Sequence, residues 1–258
     1  LEAVFFCNSG LEANECAIKI ARKFGHTKGI EVPNIIVLKH AFHGRSIATL
    51  SATGNPSVRE DFSPYTEGFI FVDESDLNGI RKIVEENKNV VAIFFEPILG
   101  EGGVVPIDLS VIKGIREICD EHDLLMMCDE VQCGMGRSGK WFAHQWAEIK
   151  PDVITMAKGL AGGVPVGAVI VSEKANIFKP GNHGSTFGGN PLAMRAALET
   201  LSIIEDEKLV ENALEVGKKL KKALSKSLNG FPGVRGIRGK GLMLCLLYTS
   251  PSPRDKRQ

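Results

Sequence analysis

Residues 124–130 read Leu124-Leu125-Met126-Met127-Cys128-Asp129-Glu130, and residues 153–159 read Val153-Ile154-Thr155-Met156-Ala157-Lys158-Gly159. Each is a nearly continuous apolar run of strand length that ends on a charged side chain. A strand wetted on one face alternates apolar with polar residues, so a continuous run marks a strand covered on both faces. Similar runs occur at Val4–Cys7, Ile35–Leu38, Phe69–Val72, Val90–Phe95 and Val166–Val171. Between them lie helical patterns at Glu12–Phe24, Asp76–Asn87, Leu109–His122 and Pro191–Glu205. In the first of these, Ala13, Cys16, Ala17, Ile20, Ala21 and Phe24 share one stripe. Strands alternating with helices predict an α/β fold with a mostly parallel sheet. Ligands of such sheets sit beyond the carboxyl ends of the strands, so Asp129 and Lys158 are placed where chemistry is expected.

The remaining composition excludes several classes. The 31 basic residues are balanced by 31 acidic ones, which argues against a nucleic-acid footprint. No run of about 18 apolar residues is present, so no membrane span is expected. The opening Leu1-Glu2-Ala3-Val4-Phe5-Phe6 lacks an initiator Met and a basic segment, and reads as a chain entered mid-fold rather than a signal peptide. The six cysteines (Cys7, Cys16, Cys119, Cys128, Cys133 and Cys245) form no CxxC pair. They read as buried free thiols of a reducing compartment rather than a metal site.

From Lys208 the pattern changes to a long charged amphipathic helix, Lys208–Leu228, followed by Gly-rich strand signals over Phe231–Leu244. The expected division is therefore a large domain over 1–207, truncated at its N-terminus, and the start of a small α+β domain over 208–244. Residues 245–258 are rich in Ser, Pro and charge and lack core-forming periodicity. They read as a non-native tail, outside fold reasoning.

Four strand ends carry candidate chemistry, and each also has a plainer explanation. Ser9-Gly10 opens a helix and could bind a phosphate at its N-terminus, or simply cap it with Glu12 three residues on. Asp129 could cap a loop. Lys158, among apolar residues and glycines, could be a desolvated Schiff-base nucleophile or a surface lysine. His183-Gly184-Ser185-Thr186-Phe187-Gly188-Gly189-Asn190-Pro191 could admit an anion, or be a turn before a helix with proline at its first position. Together, a phosphate loop, an acid and a lysine 29 positions after it (158 − 129) meet the needs of pyridoxal 5′-phosphate: an amine, a partner for the pyridine nitrogen and a phosphate cradle.

Several ordered motifs then resemble the class-III aminotransferases, which have the aspartate-aminotransferase-like fold (pyridoxal-phosphate transferase fold type I). These are Asn8-Ser9-Gly10 with Glu12-Ala13-Asn14-Glu15, Phe42-His43-Gly44-Arg45, Glu96-Pro97-Ile98-Leu99-Gly100-Glu101-Gly102-Gly103, Asp129-Glu130-Val131-Gln132, Ala157-Lys158-Gly159 and Gly184–Pro191. Leu99 stands where the family usually has glutamine. Residues 129–137 and 156–160 are most similar to the acetylornithine branch.

The resemblance implies pyridoxal phosphate carried by Lys158, with Asp129 on the pyridinium nitrogen and Gln132 on the phenolic oxygen. Val131 and Phe42 would sandwich the ring. Ser9 and Gly10 would hold the phosphate, and Thr186 would reach it from the neighbouring subunit of a homodimer. Arg45 would clamp the substrate carboxylate, since guanidinium pairs with carboxylate bidentately. Glu101 is implied as a gating acid, and Ser185 as a further substrate contact. The implied reaction moves an amino group from N-acetylornithine to 2-oxoglutarate in arginine biosynthesis, in the cytoplasm or a mitochondrial matrix. Small molecules, not nucleic acid or membrane, would be its partners. The rivals are ornithine, succinylornithine or GABA as donor, an aminomutase or decarboxylase with the same cofactor, and a phosphate-binding module without catalysis. The chain ending at Gln258 is expected to be inactive by itself.

Overall fold

Why the apolar runs are continuous is explained by what covers them. In the computed structural model, which describes residues 2–231 and 233–249, seven strands form one sheet. They are β1 (Ala3–Cys7), β2 (Asn34–Leu38), β3 (Phe69–Val72), β4 (Val90–Phe95), β7 (Leu125–Asp129), β8 (Val153–Met156) and β9 (Gly167–Val171), in the order β1-β9-β8-β7-β4-β2-β3. A small hairpin, β5 (Ile98–Leu99) and β6 (Val105–Pro106), follows β4.

Successive residues of the central strands face opposite layers. Ile35, Val37, Phe94, Leu125 and Met127 pack with Cys16, Ala17, Ile20 and Phe24 of α1 (Gly10–Thr27). Ile36, Leu38, Ile93, Phe95, Met126 and Cys128 pack with Ile80 and Val84 of α4 (Leu77–Glu86) and with Ile112, Ile115 and Ile118 of α5 (Leu109–Glu121). The period-2 alternation is therefore present, but both faces are dry, so both sets of positions are apolar.

β1, β8, β7, β4, β2 and β3 all run the same way; only β9 is reversed, pairing antiparallel with both β1 and β8. That reversal was not read from the sequence. Nor were the two short helices α2 (Ile47–Ala52) and α3 (Pro56–Arg59), or the β5–β6 hairpin.

α6 (Pro191–Asp206) opens on the expected proline, with Asn190 capping it through Ala193 N. α7 (Leu209–Ser227) then packs on a two-stranded unit, β10 (Val234–Lys240) and β11 (Met243–Tyr248). Cys245–Tyr248 continue β11, with Cys245 opposite Arg238 and Leu246 opposite Ile237. The paired strand thus runs past Leu244, through the apolar run Leu244-Cys245-Leu246-Leu247-Tyr248. Residues 250–258 lie outside the described residues. Five of the six cysteines are buried. Among the described residues, no helix is long and apolar enough to cross a membrane.

Candidate functional site

Five parallel strands end on the same sheet edge, and each hands over directly to a segment that lines one cleft of about 500 Å³. After β1 come Asn8, Ser9 and Gly10; beyond β2, Phe42, His43 and Arg45; after β4, Glu96; at the end of β7, Asp129, Val131 and Gln132; and after β8, Lys158. Residues spread over 150 positions converge because parallel strands point their carboxyl ends one way. The volume lies in the usual range for a small-molecule cofactor site.

Asp129 forms the floor. Its side chain is 3% exposed, yet three donors hold it. Oδ1 accepts from Val131 N at 3.0 Å, and Oδ2 accepts from Asn14 Nδ2 at 2.7 Å and His43 Nδ1 at 2.8 Å. His43 is itself buried and stacks on Phe94, with centroids 4.0 Å apart and planes 17° from parallel. Asn14 Nδ2 also lies 2.7 Å from His43 O, locking this group together. Three donors fix the carboxylate's orientation.

The next residue, Glu130, is also an acid, but strand alternation turns it away from the cleft. It is fully buried and accepts from Ala143 N, His144 N, His144 Nδ1 and Cys133 Sγ. It pins the 142–144 segment. Of the adjacent pair, only Asp129 faces the site.

Glu96 joins the two lips of the cleft. Oε2 accepts from Phe42 N at 2.9 Å and Oε1 from Gly100 N at 3.0 Å. Burial, then the neighbouring Asp129 carboxylate, push its pKa up to about 8, against the two N–H donors and Lys158. Gly100 approaches Gln132 so closely that a Cβ there would lie 2.3 Å from Oε1. Gln132 Nε2 in turn lies 3.4 Å from Glu101 Oε1.

At the start of α1, the capping and phosphate readings coexist. Ser9 Oγ accepts from Glu12 N at 3.2 Å, while Ser9 and Gly10 line the cleft beside Val131. A Cβ on Gly10 would lie 2.6 Å from Val131 Cγ1, so glycine permits this close approach. Lys158 stands at the cleft with φ 39°, in the left-handed region unfavourable to a non-glycine residue. Its side chain is exposed in this chain, so the desolvation expected of it is not provided by these residues alone. Arg45, also exposed, has its guanidinium carbon 5.7 Å from the Phe42 ring centroid.

The cleft thus gathers Ser9, Gly10, Phe42, Arg45, Asp129, Val131, Gln132 and Lys158 from the expected set. Three others lie apart from its lining. Glu101 touches it only through Gln132. Ser185 Oγ accepts from Asn8 Nδ2 and Gly188 N, so it braces the loop before α6. Thr186 is exposed on that loop, outside the cleft of its own chain. Conversely, His43, Asn14 and Glu96 sit inside quoted motifs without an assigned role; only their buried contacts reveal one. A buried acid at the floor, an amine at the mouth and a helix N-terminus alongside suit pyridoxal phosphate: Asp129 for the ring nitrogen, Lys158 for the aldehyde carbon and the start of α1 for the phosphate.

The chain is 51% identical over 245 residues to an acetylornithine aminotransferase of Nitrosomonas europaea, covering 95% of this chain and 62% of that protein. It is 50% identical over 252 residues to acetylornithine aminotransferase 1 of Bordetella bronchiseptica, covering 97% and 64%. The chain therefore spans under two thirds of the length of these curated relatives. Among solved structures, the ornithine aminotransferase of Toxoplasma gondii superposes with a TM-score of 0.93 at 36% identity, covering 96% of this chain and 60% of that one. An (S)-enantioselective ω-transaminase from Thermomicrobium roseum gives 0.89 at 32%, covering 98% and 62%. The family model for class-III aminotransferases matches residues 1–257. With this match and the conjunction of Asp129 and Lys158 at one sheet edge, the chain belongs to the class-III aminotransferase family.

Proposed function

We propose that the protein is a pyridoxal-phosphate aminotransferase that takes N-acetylornithine as amino donor and 2-oxoglutarate as acceptor. The products are N-acetylglutamate semialdehyde and glutamate, a step of arginine biosynthesis. The observation that carries the reaction class is one cleft holding a buried, triply hydrogen-bonded Asp129 and an accessible Lys158. The donor is supported by the 50–51% identity to acetylornithine aminotransferases, against 36% to the ornithine enzyme of Toxoplasma gondii.

When bound, the cofactor supplies an electron sink for the pair left when the amine-bearing carbon loses a proton. The protein's own residues do the rest. The Asp129 carboxylate keeps the proton on the ring nitrogen, a charge held in advance by fixed donors so that nothing need reorganise during reaction. Lys158 Nζ anchors the cofactor and, once free, moves the proton to and from the amine-bearing carbon. Phe42 and Val131 hold the ring between them, Gln132 binds the phenolic oxygen, and Ser9 and Gly10 bind the phosphate. Thr186 adds a phosphate contact from the neighbouring subunit of a homodimer, consistent with its exposed position. Arg45 clamps the donor carboxylate, Ser185 supports the adjoining loop, and Glu101 serves as the gating acid beside Gln132.

The test compares kcat/KM for N-acetylornithine, ornithine and GABA, each with 2-oxoglutarate, in the full-length protein. N-acetylornithine should lead clearly. A preference for free ornithine or GABA overturns the donor assignment and leaves the reaction class intact.

A further inference from the structure

The turn that carries Glu101 is held from outside the main sheet. Gly103 N and Val104 N both lie 3.1 Å from Gly100 O, closing a tight turn over residues 100–104. Val104 has φ 54°, a left-handed conformation that is costly for a β-branched residue, so its surroundings must hold it there. Two contacts do so, and the β10–β11 unit takes part in both. Arg238 of β10 donates from Nε to Gly103 O at 2.7 Å, across 135 positions of chain. The Val104 side chain packs against the buried cluster of Ile98, Cys133, Ala143 and Met243, the last of these from β11. Gly103 fits closely beneath the guanidinium: its φ is 95°, and a Cβ there would lie 2.5 Å from Arg238 Nη2. Among the described residues no carboxylate pairs with Arg238, so the backbone carbonyl of the turn is what this side chain serves.

The other end of the turn belongs to the cleft. Gly100 N donates to Glu96 Oε1, Gly100 abuts Gln132, and Gln132 Nε2 lies 3.4 Å from Glu101 Oε1. Glu101 is itself exposed, so no burial fixes its side chain. Its place beside Gln132 is set by the backbone that carries it.

We propose that Arg238 is a positioning residue: by holding Gly103 O it keeps Glu101 at the mouth of the cleft, and so sets how well the site distinguishes a ligand with two carboxylates from one with a single carboxylate. A carboxylate at the mouth disfavours a second carboxylate beside it and leaves an uncharged chain end of the same length untouched. The inference rests on the reading of Glu101 as the gating acid.

Glutarate and pentanoate have the same five-carbon chain, differ in one carboxylate, and carry no amino or keto group that could react. Calorimetric titration of the cofactor-loaded, full-length protein would give the Kd of each. The quantity of interest is the ratio of the two, in the wild type, Arg238→Met, Arg238→Lys, Glu101→Gln and the double variant Arg238→Met/Glu101→Gln.

Glu101→Gln should tighten glutarate relative to pentanoate by about threefold to fivefold, the scale of one partly screened charge contact. Arg238→Met should move the ratio the same way by about twofold or more, because the freed turn no longer keeps Glu101 in place. Arg238→Lys keeps a donor on a flexible stem and should stay close to the wild type. In the Glu101→Gln background, Arg238→Met should move the ratio no further, since it acts through the group already removed. If Arg238→Met weakens both ligands equally and leaves the ratio unchanged, the residue only staples two parts of the fold and the proposal is overturned. An equal shift in both backgrounds overturns it too, because Arg238 would then act independently of Glu101. If Glu101→Gln itself leaves the ratio unchanged, the reading of Glu101 fails and takes the proposal with it. If Glu101→Gln shifts the ratio and Arg238→Met does not, only the role of Arg238 falls.

Discussion

Glu96→Gln probes a buried charge whose cost can be worked out. Glu96 is 4% exposed, and burial together with Asp129 raises its pKa from 4.5 to about 8. Between those values the folded protein holds a proton that the unfolded chain has released. Stability falls with rising pH wherever the native state binds more protons. The contribution of Glu96 is therefore fully present below pH 4.5 and is lost progressively as pH rises through 8. The slope is at most slightly over about 1 kcal/mol per pH unit for one proton.

Glutamine has the shape of the protonated acid and also turns one N–H group toward Phe42 N or Gly100 N, so that cost is common to both and cancels. The difference in unfolding free energy between wild type and Glu96→Gln should then shift by about 2 kcal/mol in favour of the variant between pH 5.5 and 7.5. Urea unfolding of the cofactor-free protein at three pH values in that window measures it, with every other titrating group subtracted by the comparison. Parallel pH dependences for the two proteins would show that Glu96 is ionised throughout, and that its two N–H donors outweigh its burial.

Three further outcomes follow from the same geometry. Lys158→Ala should abolish transamination and the visible absorbance of the lysine-bound cofactor; persistence of that band would put the anchor on another lysine. Gly10→Ala places a Cβ 2.6 Å from Val131 Cγ1, so it should raise the Kd for pyridoxal phosphate at a strain of about 1–3 kcal/mol; unchanged binding would mean that Val131 moves aside freely. Glu130→Ala strips the acceptor from two buried backbone N–H groups, His144 Nδ1 and Cys133 Sγ. It should lower stability by about 3 kcal/mol or more in chemical denaturation, and a loss under about 1 kcal/mol would show that the 142–144 segment needs no such anchor.

By itself, the order of residues determined the seven strands of the main sheet, the large helices and the two charged strand ends. A strand covered on both faces has no wet position to relieve its apolar run, and a parallel sheet collects its functional groups at one edge. Asp129 and Lys158 were therefore legible from the runs they terminate, and Ser9 from the helix it caps. Only the tertiary structure decided what surrounds them. The direction of β9 depends on which neighbours accept its hydrogen bonds, and its own residues are apolar either way. His43 and Asn14 reach Asp129 across 86 and 115 positions of chain, and no local pattern encodes a contact at that separation. Glu96 looks like any acid before a proline until burial raises its pKa. Lys158, expected to be shielded, is exposed, because burial is set by whatever packs against a residue and not by the residues beside it in the chain.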